Sequence, residues 1–200
     1  MKKYPNLSWT WKNDVPSVTG TYSFKAERNG IVLENSFKIL ISFPPDYPNS
    51  LPHAVELSGK IERSYHHFLS DGSLCLGTEI DLYKIFSENP CLDTFMTEIL
   101  NPYLYRWLYI KNFGKEPWVD RSHGNMGIIE SYAEALDIPP DNNTVKSFLV
   151  LLVENNTRAN SLCPCNSGEK VKCCHRKKLD KLSTKIPAQI FFRDLFNLRG

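Results

Sequence analysis

Alternation of apolar and polar side chains dominates the first sixty residues. Between Thr19 and Arg28, Tyr22, Phe24 and Ala26 fall on every second position, the period of a half-buried strand. Asn29-Gly30 follows, and both residues tolerate the positive φ that a two-residue hairpin turn demands. The chain then returns from Ile31 to Phe43 with Phe37, Ile39, Ile41 and Phe43 on one face. A third strand is expected over His53 to Ser58, closing at Gly59. Ahead of these, Pro5, Pro16 and the alternating Trp9 and Trp11 predict an irregular or short-strand entry.

The period changes after residue 90. Leu92, Phe95, Met96, Ile99 and Leu100 recur at helical spacing, with Pro102 marking the end, and a second helical stretch runs through Tyr103, Trp107 and Ile110. Gly124 to Gly127 is expected to break the helical pattern before a short amphipathic helix over Ile128 to Leu136. Thr144 to Glu154 reads as helix, with strand the alternative. Ile186, Ile190, Phe191, Leu195 and Leu198 make the tail amphipathic. A meander followed by helices gives an α+β layered fold.

An apolar fraction of 42% suffices for a proper core. The net charge of +2 by itself selects neither nucleic acid nor membrane as a partner. The cations are uneven, however: Lys170, Lys172, Arg176, Lys177, Lys178, Lys181 and Lys185 are interrupted by one acid, Asp180. No aromatic interleaving accompanies them, which argues against nucleic acid. Tyr4-Pro5-Asn6-Leu7 is no signal-peptide core, and no apolar run approaches the ~20 residues of a membrane span. A cytoplasmic address is therefore expected. Four of the six cysteines lie within Cys163 to Cys174, which in a reducing compartment points to a metal rather than to disulfides.

One further cysteine stands in a distinctive setting. Phe43-Pro44-Pro45-Asp46-Tyr47-Pro48 precedes Asp71-Gly72-Ser73-Leu74-Cys75-Leu76. Four prolines (Pro44, Pro45, Pro48, Pro52) fix their own φ and hold the residues before them extended, so the loop is stiff. The bland reading of Cys75 is a small buried hydrophobe between two leucines. With the proline loop ahead of it, the meander and the following helices, the stretch from about residue 15 to 137 resembles the ubiquitin-conjugating enzymes. The resemblance implies that Cys75 is a nucleophile, accepting the C-terminal carboxyl group of a ubiquitin-like protein as a thioester and passing it to an amine. A thioester stays reactive toward amines while splitting one difficult step into two.

Departures from that family are visible. Where its members carry His-Pro-Asn, this chain has Tyr65-His66-His67, so His67 takes the place of the asparagine that supports the oxyanion. His67 could donate there or lower the thiol pKa; a surface position for His66 and His67 is the alternative. The tryptophan common after the family cysteine is missing, with Glu79-Ile80-Asp81-Leu82 in that region. Asp71 and Asp81 are acidic candidates for steering or deprotonating a lysine, or else turn and cap residues. Cys91, at an expected helix start, reads as structural. Inactive relatives usually lose the cysteine itself, and Cys75 is retained.

The segment Cys163-Pro164-Cys165-Asn166-Ser167-Gly168-Glu169-Lys170-Val171-Lys172-Cys173-Cys174-His175 resembles the SEC-C zinc-binding motif. That resemblance implies one zinc held by Cys163, Cys165, Cys174 and His175, with Cys173 a bystander. The expected organisation is a ubiquitin-conjugating-like domain over 1–154 and a zinc knuckle with a basic tail over 155–200. The expected function is a cysteine-dependent acyl transferase. By analogy with divergent bacterial members that stand beside antiviral signalling enzymes, the cargo is a ubiquitin-like protein or a cGAS-like nucleotidyltransferase. A non-catalytic module that binds its partner with the same fold is the rival.

Overall fold

The computed structural model describes residues 3–65, 67–154 and 159–199. It is an α+β chain. Four antiparallel strands, β1 (Leu7–Lys12), β2 (Val15–Arg28), β3 (Ile31–Ser42) and β4 (His53–Glu56), pair in the order β1-β2-β3-β4. This is a meander, and the turn chemistry accounts for it. Arg28 pairs with Ile31 across Asn29 and Gly30, whose φ values of 50° and 75° are those of a tight hairpin. The β1–β2 turn uses the same device at Asn13 and Asp14, with φ of 50° and 60°. Expecting only an irregular or short-strand entry undervalued this Asn-Asp pair, since both residues tolerate left-handed backbone. β2 consequently starts at Val15 rather than Thr19.

The contacts group the chain into two compact units. The first comprises residues 1–77 and 89–119, the second 78–88 and 120–200. The expected junction at Asn155-Asn156 lies outside the described residues.

In the first unit, β3 presents Phe37, Ile39 and Ile41 to a helical layer, each fully buried. That layer is α2 (Leu92–Thr94), a π-helical segment (Phe95–Leu100) and α3 (Asn101–Phe113) in unbroken succession. Two separate helices were expected on either side of Pro102. Instead Pro102 sits in the first turn of α3. Lacking an N–H, it cannot donate to the carbonyl four residues earlier, and the wider π turn ahead of it accommodates the lost bond. Phe37 meets Phe24 and Trp107 edge-on at 6.1 and 5.6 Å between ring centroids.

The second unit holds α1 (Glu79–Phe86), α4 (Gly124–Leu136), α5 (Asn142–Val153), a 3₁₀ turn (Val171–Cys173), α6 (Arg176–Lys185) and α7 (Ala188–Asn197). Asp141 caps α5, accepting from the Thr144 amide at 2.8 Å. The helical alternative for 144–154 is thus the observed one. Gly124 and Gly127 open α4 rather than breaking a helix. A Cβ at Gly127 would lie 2.0 Å from the Ser122 carbonyl oxygen, so that glycine permits a close backbone approach. α6 was not expected because few apolar residues mark it, and α1 was not expected although Ile80, Leu82, Tyr83, Ile85 and Phe86 make it largely apolar. Among the described residues, no helix is long and apolar enough to cross a membrane.

The sheet–helix packing predicts an asymmetry between adjacent residues of β3. Phe37→Ala should cost about 3–5 kcal/mol, the usual range for a large core aromatic. Lys38→Ala, on the exposed face, should stay within about 0.5 kcal/mol. Urea unfolding midpoints of the two variants check this, and equal effects would contradict the packing described.

Candidate functional site

Cys75 follows directly on a buried anchor. Leu74 is 3% exposed and its amide donates to the Ala54 carbonyl of β4 at 2.8 Å. Cys75 itself is half-buried, so it is not the core residue of the bland reading. Its amide donates to the carbonyl oxygen of His67 at 2.9 Å, and the Tyr103 hydroxyl of α3 donates to that same oxygen at 3.0 Å. One backbone carbonyl therefore ties the cysteine segment, the preceding loop and the helical layer together.

His67 is 5% exposed, which rules out the surface reading for this residue; His66 lies outside the described residues. Its ring packs 4.8 Å from that of Tyr65, which in turn meets Tyr103 edge-on at 5.7 Å. Burial raises the pKa of the Tyr103 phenol, which remains a neutral hydrogen-bond donor across the physiological range. Tyr65 and Tyr103 were not singled out from the sequence. At helical spacing an aromatic residue reads simply as core.

The proline loop is pinned by ring packing and a backbone turn. Phe43 is buried, and its ring contacts Tyr47 at 4.8 Å and Trp9 at 5.3 Å. The Tyr47 amide donates back to the Pro44 carbonyl at 2.9 Å. Asp71 lies in the turn before Cys75 and accepts from the Ser73 amide and hydroxyl at 2.9 and 2.6 Å. These bonds hold its carboxyl below the usual range and identify it as a turn residue. Cys91 stands immediately before α2 with its sulfur 3.4 Å from Thr94 Oγ1.

Asp81 belongs to the second unit, in the first turn of α1. Its carboxylate is enclosed by donors: Ser131 Oγ at 2.8 Å, Thr78 Oγ1 at 3.0 Å, Arg121 Nε at 2.8 Å and Lys84 Nζ at 3.2 Å. Burial opposes its ionisation, but these donors prevail and its pKa is lowered. So held, Asp81 joins α1, α4 and the segment before α4, and it is a poor base.

The C-terminal cysteines converge. The ligand atoms of Cys163, Cys165, Cys174 and His175 all lie within 4.8 Å of one another, and this set could hold one metal ion. Cys163 Sγ is 3.2 Å and Cys174 Sγ 3.1 Å from His175 Nδ1, while Cys165 Sγ is 3.5 Å from Cys174 Sγ. Cys173 is exposed and outside the set. The other ring nitrogen of His175 lies 3.0 Å from the Leu136 carbonyl oxygen. Since a carbonyl only accepts, Nε2 carries the hydrogen, and the Nδ1 lone pair points to the thiols. Burial lowers the His175 pKa, favouring this neutral form. Burial pushes the Cys163 thiol up to about 12. For Cys165 burial acts the same way, but hydrogen bonds from Ser167 and the neighbouring thiols bring it down to about 7.

Leu136 could not have been singled out by residue type, because its carbonyl acts rather than its side chain. It ends α4, where carbonyls lack intrahelical partners. Lys178 Nζ donates to the same oxygen at 2.7 Å. No protein-family model matches this chain, and no curated protein does.

Asp81 gives a pH-dependent prediction. A depressed folded-state pKa stabilises the fold above the ordinary carboxylate range and is lost as pH falls through the folded value. Asp81→Asn should therefore cost about 1–3 kcal/mol at pH 7. That deficit should shrink below about pH 4, where the unfolded carboxyl protonates. Urea titrations from pH 3 to 7 test it; a deficit constant across that range would rule out the ionic role.

Proposed function

We propose that this chain is a cysteine-dependent acyl transferase of the ubiquitin-conjugating kind. Cys75 carries the C-terminal carboxyl group of a partner protein as a thioester and passes it to an amine. The observation that carries the reading is the setting of Cys75: a half-buried thiol whose backbone is fixed to the His67 carbonyl beside a buried tyrosine. That arrangement leaves a sulfur within reach of a macromolecular acyl donor while denying its backbone freedom, which favours attack from one orientation. Support also comes from the four-stranded meander, its helical layer and the stiff proline loop. The cargo class, a ubiquitin-like protein or a nucleotidyltransferase of the cyclic-oligonucleotide antiviral kind, rests on resemblance. Asp81 drops out as the deprotonating group, since its lone pairs are already engaged. His67 contributes, in this reading, by holding the cysteine segment as well as by any oxyanion contact.

The knuckle binds zinc in this reading. Zinc in a tetrahedron of thiolates at ~2.3 Å and imidazole at ~2.0 Å separates its donors by about 3.5–3.8 Å. The observed 3.1–3.5 Å contacts need only slight expansion. The Leu136 carbonyl orients the imidazole as metal-bound histidines require. When bound, zinc supplies structural cohesion: a closed four-donor set leaves no position for substrate.

Cys75→Ala should abolish formation of a thiol-sensitive adduct with the partner while leaving thermal unfolding unchanged. Cys75→Ser should trap a more stable ester. An adduct that survives in Cys75→Ala would overturn the assignment, and intact protein that forms no adduct with any activated carboxyl donor would favour the binding-module rival. Elemental analysis should give one zinc per chain, lost in the Cys163→Ser, Cys165→Ser double variant. Metal-free protein with unchanged far-UV and near-UV spectra would refute the zinc site.

A further inference from the structure

The four donors of the knuckle are unequally exposed, and the inequality has chemical content. Cys163 and His175 are 3% and 8% exposed, whereas Cys174 is exposed and Cys165 half-buried. These two more exposed residues also have their sulfurs in contact, at 3.5 Å. A disulfide between them needs an approach of less than about 2 Å. Ser167 Oγ lies 3.3 and 3.5 Å from the two sulfurs, on the short turn that joins them. The inner pair is held differently, since His175 is anchored to Leu136 and its ring packs 4.9 Å from that of Phe148.

We infer that Cys165 and Cys174 form an oxidation site, closing to a disulfide on exposure to hydrogen peroxide and thereby discharging the metal from the knuckle. The inference rests on the metal reading above. The step balances. One thiolate sulfur attacks a peroxide oxygen, the O–O bond breaks, and a sulfenic acid and one water form after protonation. The second thiolate then displaces the sulfenic oxygen, which leaves as a second water, and the S–S bond forms. Two thiolates, one hydrogen peroxide and two protons become one disulfide and two waters, and two electrons pass from sulfur to peroxide. Only Cys163 and His175 would then remain as donors, too few to hold a metal in the knuckle. α6 begins at Arg176, directly after His175, so metal loss loosens the start of the basic helix.

The test uses the full chain, with its metal content measured first. Hydrogen peroxide is added in modest excess, released zinc is followed with a chromophoric chelator, and disulfides are mapped by mass spectrometry after an acid quench. The expected result is loss of one zinc and two of the six free thiols per chain, with a crosslink between the Cys165 and Cys174 peptides. A dithiol reductant with added zinc should reverse both changes. Cys173→Ser should behave as the parent protein does. Retained zinc under peroxide overturns the inference, as does a crosslink that uses Cys163 or Cys173. A chain purified without metal would sink the zinc reading instead, and the peptide map would still decide whether the Cys165–Cys174 bond forms.

Discussion

A backbone carbonyl removed from water must find donors, and two such oxygens organise the chemistry of this chain. The His67 carbonyl collects the Cys75 amide and the Tyr103 hydroxyl. The Leu136 carbonyl collects the His175 imidazole and the Lys178 ammonium. An unpaired buried carbonyl costs free energy on the scale of a lost hydrogen bond, so each oxygen commits its donors to one geometry. In the first unit the result is a cysteine with a fixed backbone. In the second it is a histidine with a fixed tautomer.

The two cysteine settings are chemically opposite. Cys75 is half-buried, and its amide is bonded to the His67 carbonyl that also accepts from Tyr103. Cys163, Cys165 and Cys174 stand together with an imidazole, so ionisation of any one of them is governed by its neighbours. Clustering suits sulfurs that share a cation. The acidic network around Asp81 belongs to neither. Its four donors are Thr78 just before α1, Lys84 in α1, Ser131 in α4 and Arg121 in the segment before α4, and its role is to hold helices of the second unit in place.

Legibility in the sequence tracked how local the governing physics is. The Asn29-Gly30 turn and the buried face of β3 were readable because each depends on residues a few positions apart. The cluster of Cys163, Cys165, Cys174 and His175, which could hold a metal ion, was readable too, since it lies within thirteen residues. Three features were not. The Asn13-Asp14 hairpin lacks the glycine that marks such turns. α6 hides its two buried leucines, Leu179 and Leu182, among lysines. The uninterrupted passage from α2 through the π turn to α3 runs against the usual meaning of proline.

What the sequence determined by itself is the set of candidate side chains and most of the strands and helices, because spacing and turn chemistry are written locally. Tertiary structure decided which groups met. It buried His67 where a surface loop was one reading, selected Cys174 over Cys173, and turned Asp81 from a candidate base into a tethered carboxylate. Those outcomes depend on contacts between residues up to fifty positions apart, such as Asp81 with Ser131 and His175 with Leu136. The decisive partners include backbone carbonyls, which every residue carries alike, so residue type cannot reveal which one will be used.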